Sequence, residues 1–179
     1  GLVLLFITAA YSLLFIFAAP KTIPLRAEDF VALGNAMEFS GRYEVPEIAD
    51  AYRKANELSP GYMSAAINRA NFLMKNAKFA EAEPVLEKIY ESNSGNPVVA
   101  ITYASSLMGA GNPAKAEKVL LALTEPSGAS RVNYYYQLGE SRRMQGRKDE
   151  ALKCYQQALK YCDTDERRNL IDDAIRRLP

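Results

Sequence analysis

The sequence predicts an all-α fold, a solenoid of stacked helical units with a transmembrane helix before it and a capping helix after it. Three observations carry this expectation. Residues 1–20 are uncharged, small and apolar residues recur at one fixed spacing through three later segments, and turn-forming residues punctuate the helical stretches. Composition narrows the function. Across 179 residues, 22 Lys and Arg balance 21 Asp and Glu, giving a net charge of +1, which excludes broad electrostatic binding to nucleic acid. Histidine is absent, so the commonest general base and zinc ligand are missing. Two cysteines are too few for a disulfide scaffold or a four-sulfur metal site.

The first element is the run from Gly1 to Pro20. As a helix it would be about 30 Å long, the hydrocarbon thickness of a bilayer, and a helix satisfies its own backbone in lipid. Lys21 and Arg26 come next and can snorkel to headgroups. A cleaved signal peptide fits less well, because the apolar run is long and Phe17-Ala18-Ala19 breaks the small-x-small pattern. Tyr11 falls mid-run beside Thr8 and Ser12. Since Tyr prefers the membrane interface, these three residues are expected to contact a partner helix, with a lipid-facing Tyr11 as the alternative. Residues 21–26, with Pro24, form a short juxtamembrane linker, so the solenoid sits against the membrane surface. Lys21 and Arg26 lean toward a cytoplasmic placement at the inner (plasma) membrane, and the unpaired cysteines lean the same way.

Beyond the linker the chain repeats. Ala70, Ala82 and Ile89 are spaced like Ala104, Ala116 and Leu123, and like Gly139, Ala151 and Ala158. The unit is about 34 residues. This pattern resembles the tetratricopeptide repeat (TPR) family, which implies two antiparallel helices per unit and hence four helix pairs, at about 27–62, 63–96, 97–131 and 132–165. The fourth unit matches through Tyr135, Leu138, Gly139, Ala151, Tyr155 and Ala158, and the first through Phe30, Leu33, Gly34, Ile48, Tyr52, Ala55 and Pro60. Arg69 and Arg142 depart from the family pattern, standing where apolar residues are usual. The physics agrees: small residues let paired helices approach, and each pair exposes an apolar face that only the next can cover. Breakers fall at Lys75-Asn76, 109–113, 94–97 and 125–128, and Pro46, Pro97 and Pro113 suit a first helical turn. Residues 166–179 are expected to cap the stack with a helix whose stripe is Leu170, Ala174 and Leu178 with Ile171 and Ile175.

No catalytic group, cofactor or metal site is predicted. A nucleophile elbow and a glycine-rich phosphate loop are lacking. Cys154 and Cys162 are eight apart on one predicted helix, about 12 Å along its axis, and cannot bridge each other. Pairs such as Asp172-Asp173 read as solvated faces.

The resemblance instead implies a concave binding surface on the first helix of each unit. Its candidate residues are Asn35, Ile67, Asn71, Met74, Ile101, Met108, Asn133, Tyr136, Glu140 and Arg143, with packing between helices as the alternative for some. Phe39 and Gly109 fall in the same inward register. The family's carboxylate clamp is rejected: Asn35 and Asn68 match its asparagines, but Val31, Val98 and Thr102 stand where its cations belong. In Tyr134-Tyr135-Tyr136, the middle ring takes the core slot, Tyr136 faces inward as an anchor, and Tyr134 lies sideways. Arg142, Arg143, Arg147 and Lys148 form a basic patch open to an acidic partner or lipid, or simply a solvated turn.

These features predict a membrane-anchored protein–protein interaction scaffold, an accessory or assembly subunit of a membrane complex. The resemblance to membrane-anchored proteins of this family implies a bacterial envelope export machine as the setting, with exopolysaccharide secretion as the leading example. Its partners are other protein subunits, chiefly membrane proteins, and the lipid bilayer; no nucleic acid and no metal are expected. A peptide-binding cochaperone or receptor is the alternative.

Overall fold

The computed structural model describes residues 24–178. The proposed span, with Thr8, Tyr11 and Ser12, therefore lies outside the described residues. No helix among the described residues is long and apolar enough to cross a membrane. They form nine α-helices and no strand: α1 (Ala27–Ser40), α2 (Val45–Leu58), α3 (Met63–Lys75), α4 (Phe79–Asn93), α5 (Pro97–Gly109), α6 (Pro113–Leu121), α7 (Ala129–Met144), α8 (Lys148–Lys160) and α9 (Asp165–Arg176). The helices pack as antiparallel pairs, α1 with α2 through to α7 with α8, and α9 lies on α8. α7 begins at Ala129, ahead of the Val132 at which the repeat register starts.

One backbone device closes the first helix of each pair. Gly41, Ala77, Gly111 and Gly146 occupy the same register and all have positive φ, at 62°, 57°, 84° and 77°. In three units the next residue bonds back across the turn: Lys78 N–H to Leu73 O at 2.8 Å, Asn112 N–H to Leu107 O at 2.8 Å, and Arg147 N–H to Arg142 O at 2.9 Å. This satisfies carbonyls the helix end leaves open. Pro46, Pro97 and Pro113 sit in the first turns of α2, α5 and α6, where a missing N–H costs little. Pro84 lies inside α4 and removes the bond to the Ala80 carbonyl.

Small residues set the helix spacing. Ala70, Ala82, Ala104, Ala116, Ala151 and Ala158 are all fully buried. Leu86 and Leu120 are fully buried in the main core, each contributing about 1.5–3 kcal/mol of apolar burial. The main core cluster runs through α3 to α8, from Ala70 to Cys154, so it binds successive pairs together. A second cluster joins α7, α8 and α9 through Val132, Tyr155 and Ile171. The stripe of α9 differs from expectation. Ile171 and Ala174 are buried and Ile175 and Leu178 pack beside them, but Leu170 is 52% exposed. The buried set follows the i, i+3, i+4, i+7 spacing of one helical face, and Leu170 falls about 100° away from Ile171.

Candidate functional site

The first helices α1, α3, α5 and α7 touch one another along the stack and present one face. Its ends are built alike. Gly34 on α1 and Gly139 on α7 lack the side chain that would block a tyrosine: a Cβ there would lie 2.6 Å from Cε1 of Tyr52 or of Tyr155. Each ring passes through the gap, fully buried, and delivers its hydroxyl to polar groups on the first helix. The Tyr52 hydroxyl lies 2.7 Å from Asn35 Oδ1 and 2.8 Å from Glu38 Oε2. The Tyr155 hydroxyl bonds Glu140. Burial, reinforced by the carboxylate neighbour, pushes both phenols well above their ordinary pKa, so they act as neutral donors. In the two middle units Ala70 and Ala104 replace the glycine, and Leu86 and Leu120 replace the tyrosine. The device was readable as a Gly–Tyr pair sixteen or eighteen positions apart, but sequence reasoning treated its members only as packing residues.

The remaining acceptors at these ends are also partnered. Asn68 Nδ2 donates to Asn35 Oδ1 at 3.4 Å, and Lys75 Nζ to Glu38 Oε1 at 3.3 Å. Arg143 pairs with Glu140 at 2.8 Å. Of the residues read as concave, Asn35, Asn71 and Asn133 are exposed. Ile67 and Met74 are half-buried against neighbouring core. Tyr136 is half-buried with its ring centroid 6.0 Å from that of Tyr155. Ile101 and Met108 are corrected: at 9% and 6% exposure they belong to the main core, where α5 is packed between α4, α6 and α7. The ring of Phe79 occupies the space beside Gly109, which therefore seats an aromatic of α4. Phe39 points to solvent, 96% exposed.

Two further readings change. Tyr134 is buried at 7%, the deepest of the three tyrosines, while Tyr135 stacks on Tyr161 with centroids 6.0 Å apart. The expected basic patch is neutralised from within. Glu117 of α6 receives Arg142 Nε at 2.9 Å, Arg147 Nη1 at 2.6 Å and Gln145 Nε2 at 2.9 Å. Burial works to raise the Glu117 pKa, but these three donors outweigh it and hold the carboxyl below its usual range. Arg142 also donates to the buried Cys154 Sγ at 3.2 Å, and burial pushes that thiol up. No cluster of His, Cys, Asp or Glu among the described residues is arranged to hold a metal ion.

Paired helices in one register, closed by one turn type, are also what known proteins show. The sequence profile of the tetratricopeptide repeat family matches residues 73–136, and a second tetratricopeptide repeat profile matches residues 132–165. The chain is a tetratricopeptide repeat protein. Tetratricopeptide proteins in general mediate protein–protein interactions, and the fold typically serves as a non-enzymatic scaffold. Among solved structures, this tetratricopeptide chain is similar to TTC0263, a thermophilic TPR protein of Thermus thermophilus. The TM-score is 0.68 at 20% identity, covering 97% of this chain and 94% of that one. The structure of pilF from Pseudomonas aeruginosa matches with a TM-score of 0.67 at 18% identity over 85% of this chain and 67% of the other. A crystal structure of MamA matches with 0.63 at 15% over 84% and 86%. At these identities the likeness shows the fold alone. A comparison with curated proteins finds no match.

Proposed function

We propose that this tetratricopeptide protein is a membrane-anchored scaffold that holds a segment of a partner subunit along its concave face. The observation that carries the reading is a polar ladder. Asn35, Asn71, Ser105 and Glu140 occupy one register, one per unit, and the first two are exposed. Asn71 offers both a donor and an acceptor to an extended backbone, and Asn35, whose Oδ1 is taken up by Tyr52 and Asn68, offers its Nδ2 donor. Anchoring is supported by the uncharged run of residues 1–20 and by the six-residue link to α1, which keeps the solenoid beside the bilayer. An assembly or accessory role in a bacterial envelope export complex, such as exopolysaccharide secretion, suits that geometry.

The test is purification in mild detergent with identification of stoichiometric co-purifying subunits, repeated with Asn71→Glu and Asn133→Glu. Both side chains are exposed, so these variants fold normally, with unchanged helical circular dichroism and Tm. Loss of the partner in either variant supports the concave site. Full retention in both refutes it. An impermeant thiol reagent on intact cells reads the side of the membrane through Cys162, which is part-exposed. Labelling before lysis rules out the cytoplasmic placement.

A further inference from the structure

Arg69 is the departure from the repeat pattern that the fold does not absorb. Its register holds Leu33, Tyr103 and Leu138 in the other units, and Tyr103 and Leu138 are buried. Arg142, the other arginine in an apolar slot, is satisfied by Glu117 and Cys154. Arg69 is half-buried, and among the described residues it has neither a hydrogen bond nor an ion pair. Burial pulls its pKa down and Arg53 adds repulsion, with Glu57 and Glu81 acting against them.

The space beside Arg69 is shaped. Helices α2, α3 and α4 enclose a cleft of about 520 Å³, with Arg69, Asn56 and Lys88 among its polar lining. Ala66 opens it: that register carries the large rings of Phe30 and Tyr135 in the first and fourth units. Val85 and Ile89 of α4 supply an apolar wall. Asn56 Oδ1 is buried and has no hydrogen-bond partner among the described residues. The other charges at the rim are engaged, Arg53 with Asp50 and Glu57, and Glu81 with Lys78. The cleft opens between the second helices α2 and α4, so it is a different surface from the polar ladder of the first helices.

A half-buried guanidinium with no carboxylate in ion-pair or hydrogen-bond contact, Glu57 and Glu81 acting on it only from a distance, and a buried carbonyl oxygen without a donor, each cost stability. Both residues line one cleft, together with Glu57 and Glu81, which are already paired with Arg53 and Lys78, and a single kind of ligand answers both. It needs an anionic acceptor for Arg69, an N–H for Asn56 and an aliphatic part for the wall. We propose that this cleft binds an acidic peptide segment of a partner protein, whose carboxylate pairs with Arg69, whose backbone N–H donates to Asn56 Oδ1, and whose neighbouring aliphatic side chain lies against Ala66, Val85 and Ile89. A bare phosphate has no N–H to give and makes no use of the apolar wall. Lys88 adds a second cation at the rim.

The test uses the full chain in mild detergent and a short blocked peptide, N-acetyl-Leu-Glu-Leu-N-methylamide, with binding read from the Arg69 Nε–H and Asn56 side-chain amide NMR signals. A saturable shift of both signals is expected, with a midpoint on the order of 1 mM. The same peptide with Gln in place of Glu should bind at least about tenfold more weakly, the loss of one charge-assisted pair. Arg69→Leu should abolish the shift at Asn56 while raising Tm, because the apolar slot is refilled. Arg69→Gln, which keeps a polar side chain, should also abolish it. Asn71→Glu should leave cleft binding unchanged, which separates this site from the concave one. Absence of saturation, equal binding of the Gln peptide, equal binding of inorganic phosphate, or binding that survives both Arg69 variants would each overturn the proposal.

Discussion

Gly139→Ala tests how tightly the ends of the first-helix face are built. In a helix interior such as α7, replacing Gly by Ala ordinarily stabilises by about 1 kcal/mol. Here the new Cβ would stand 2.6 Å from Cε1 and 2.8 Å from Cδ1 of Tyr155. Relieving that overlap requires the ring to retreat by nearly 1 Å, taking van der Waals contact as about 3.5 Å. Tyr155 is fully buried and its hydroxyl is held by Glu140, so it has nowhere to go. Overpacking costs about 1–3 kcal/mol, and the bent hydrogen bond to a charged acceptor adds about 1.5 kcal/mol. Set against the helix gain, the net loss is about 2 kcal/mol, or roughly 4–8 °C in Tm for a chain of this size. Urea unfolding monitored by circular dichroism measures it. Gly95→Ala, where nothing lies within 4 Å of the added Cβ, serves as the control and should be neutral or slightly stabilising. The pair Gly139→Ala with Tyr155→Leu recreates the Ala–Leu combination of the middle units, and it should be more stable than the sum of its singles by at least about 1 kcal/mol. A Gly139→Ala protein as stable as wild type, or a strictly additive pair, would refute the reasoning.

Ala77→Gly should stabilise by about 1 kcal/mol, because Ala77 alone among the four turn residues of its register carries a Cβ at positive φ; a lower denaturation midpoint would contradict this. Glu117→Gln should cost about 2 kcal/mol at neutral pH, since it leaves the largely buried Arg142 with only Glu150 at 3.9 Å, while the more exposed Arg147 adds little. The folded pKa of Glu117 lies below its unfolded value, so its contribution is complete above the unfolded pKa and disappears as pH falls through the folded one. Wild type and Glu117→Gln should therefore converge in stability on acidification, and a constant gap would count against the assignment. Under native conditions Cys162 should react with a thiol reagent well before Cys154, which is buried with a raised pKa; equal rates would contradict the burial of Cys154.

Much of the architecture was legible because its signals are local. Pro46, Pro97 and Pro113 mark first turns, and the recurring alanines mark close helix contacts, each through backbone or steric effects confined to a few residues. What sequence reading missed depends on partners far along the chain. Arg142 and Glu117 are twenty-five residues apart, so four cations near one turn read as a patch when the counter-charge came from the preceding pair. Ile101 and Met108 have the register of surface residues, but α5 is central and its neighbours close over them. Tyr134 and Tyr136 differ by two residues on one helix, and their relative burial is set by how α7 is rotated against α8, which periodicity does not specify. Pro84 would ordinarily mark a helix end, so its tolerance inside α4 is set by the packing of that helix and not by the residue itself.

The internal pairing at the ends of the first-helix face has a consequence for the partner site proposed there. Glu38 is shared between Tyr52 and Lys75, and Glu140 between Tyr155 and Arg143. Each carboxylate thus meets a cation and a hydroxyl within the protein, and the face offers a ligand hydrogen-bonding geometry with little net charge. The cleft at Arg69 is the opposite case, a guanidinium with no ion pair or hydrogen bond among the described residues. Screening distinguishes the two, because added salt weakens association driven by unpaired charge far more than association driven by neutral hydrogen bonds and apolar contact. Raising NaCl from about 50 mM to about 500 mM, which shortens the Debye length to a few ångströms, should leave a partner held on the concave face largely bound. The same change should release the acidic probe from the Arg69 cleft. Release of the concave partner across that range, with the helical fold intact, would mean that its binding rests on charges the tyrosines and their carboxylates do not neutralise.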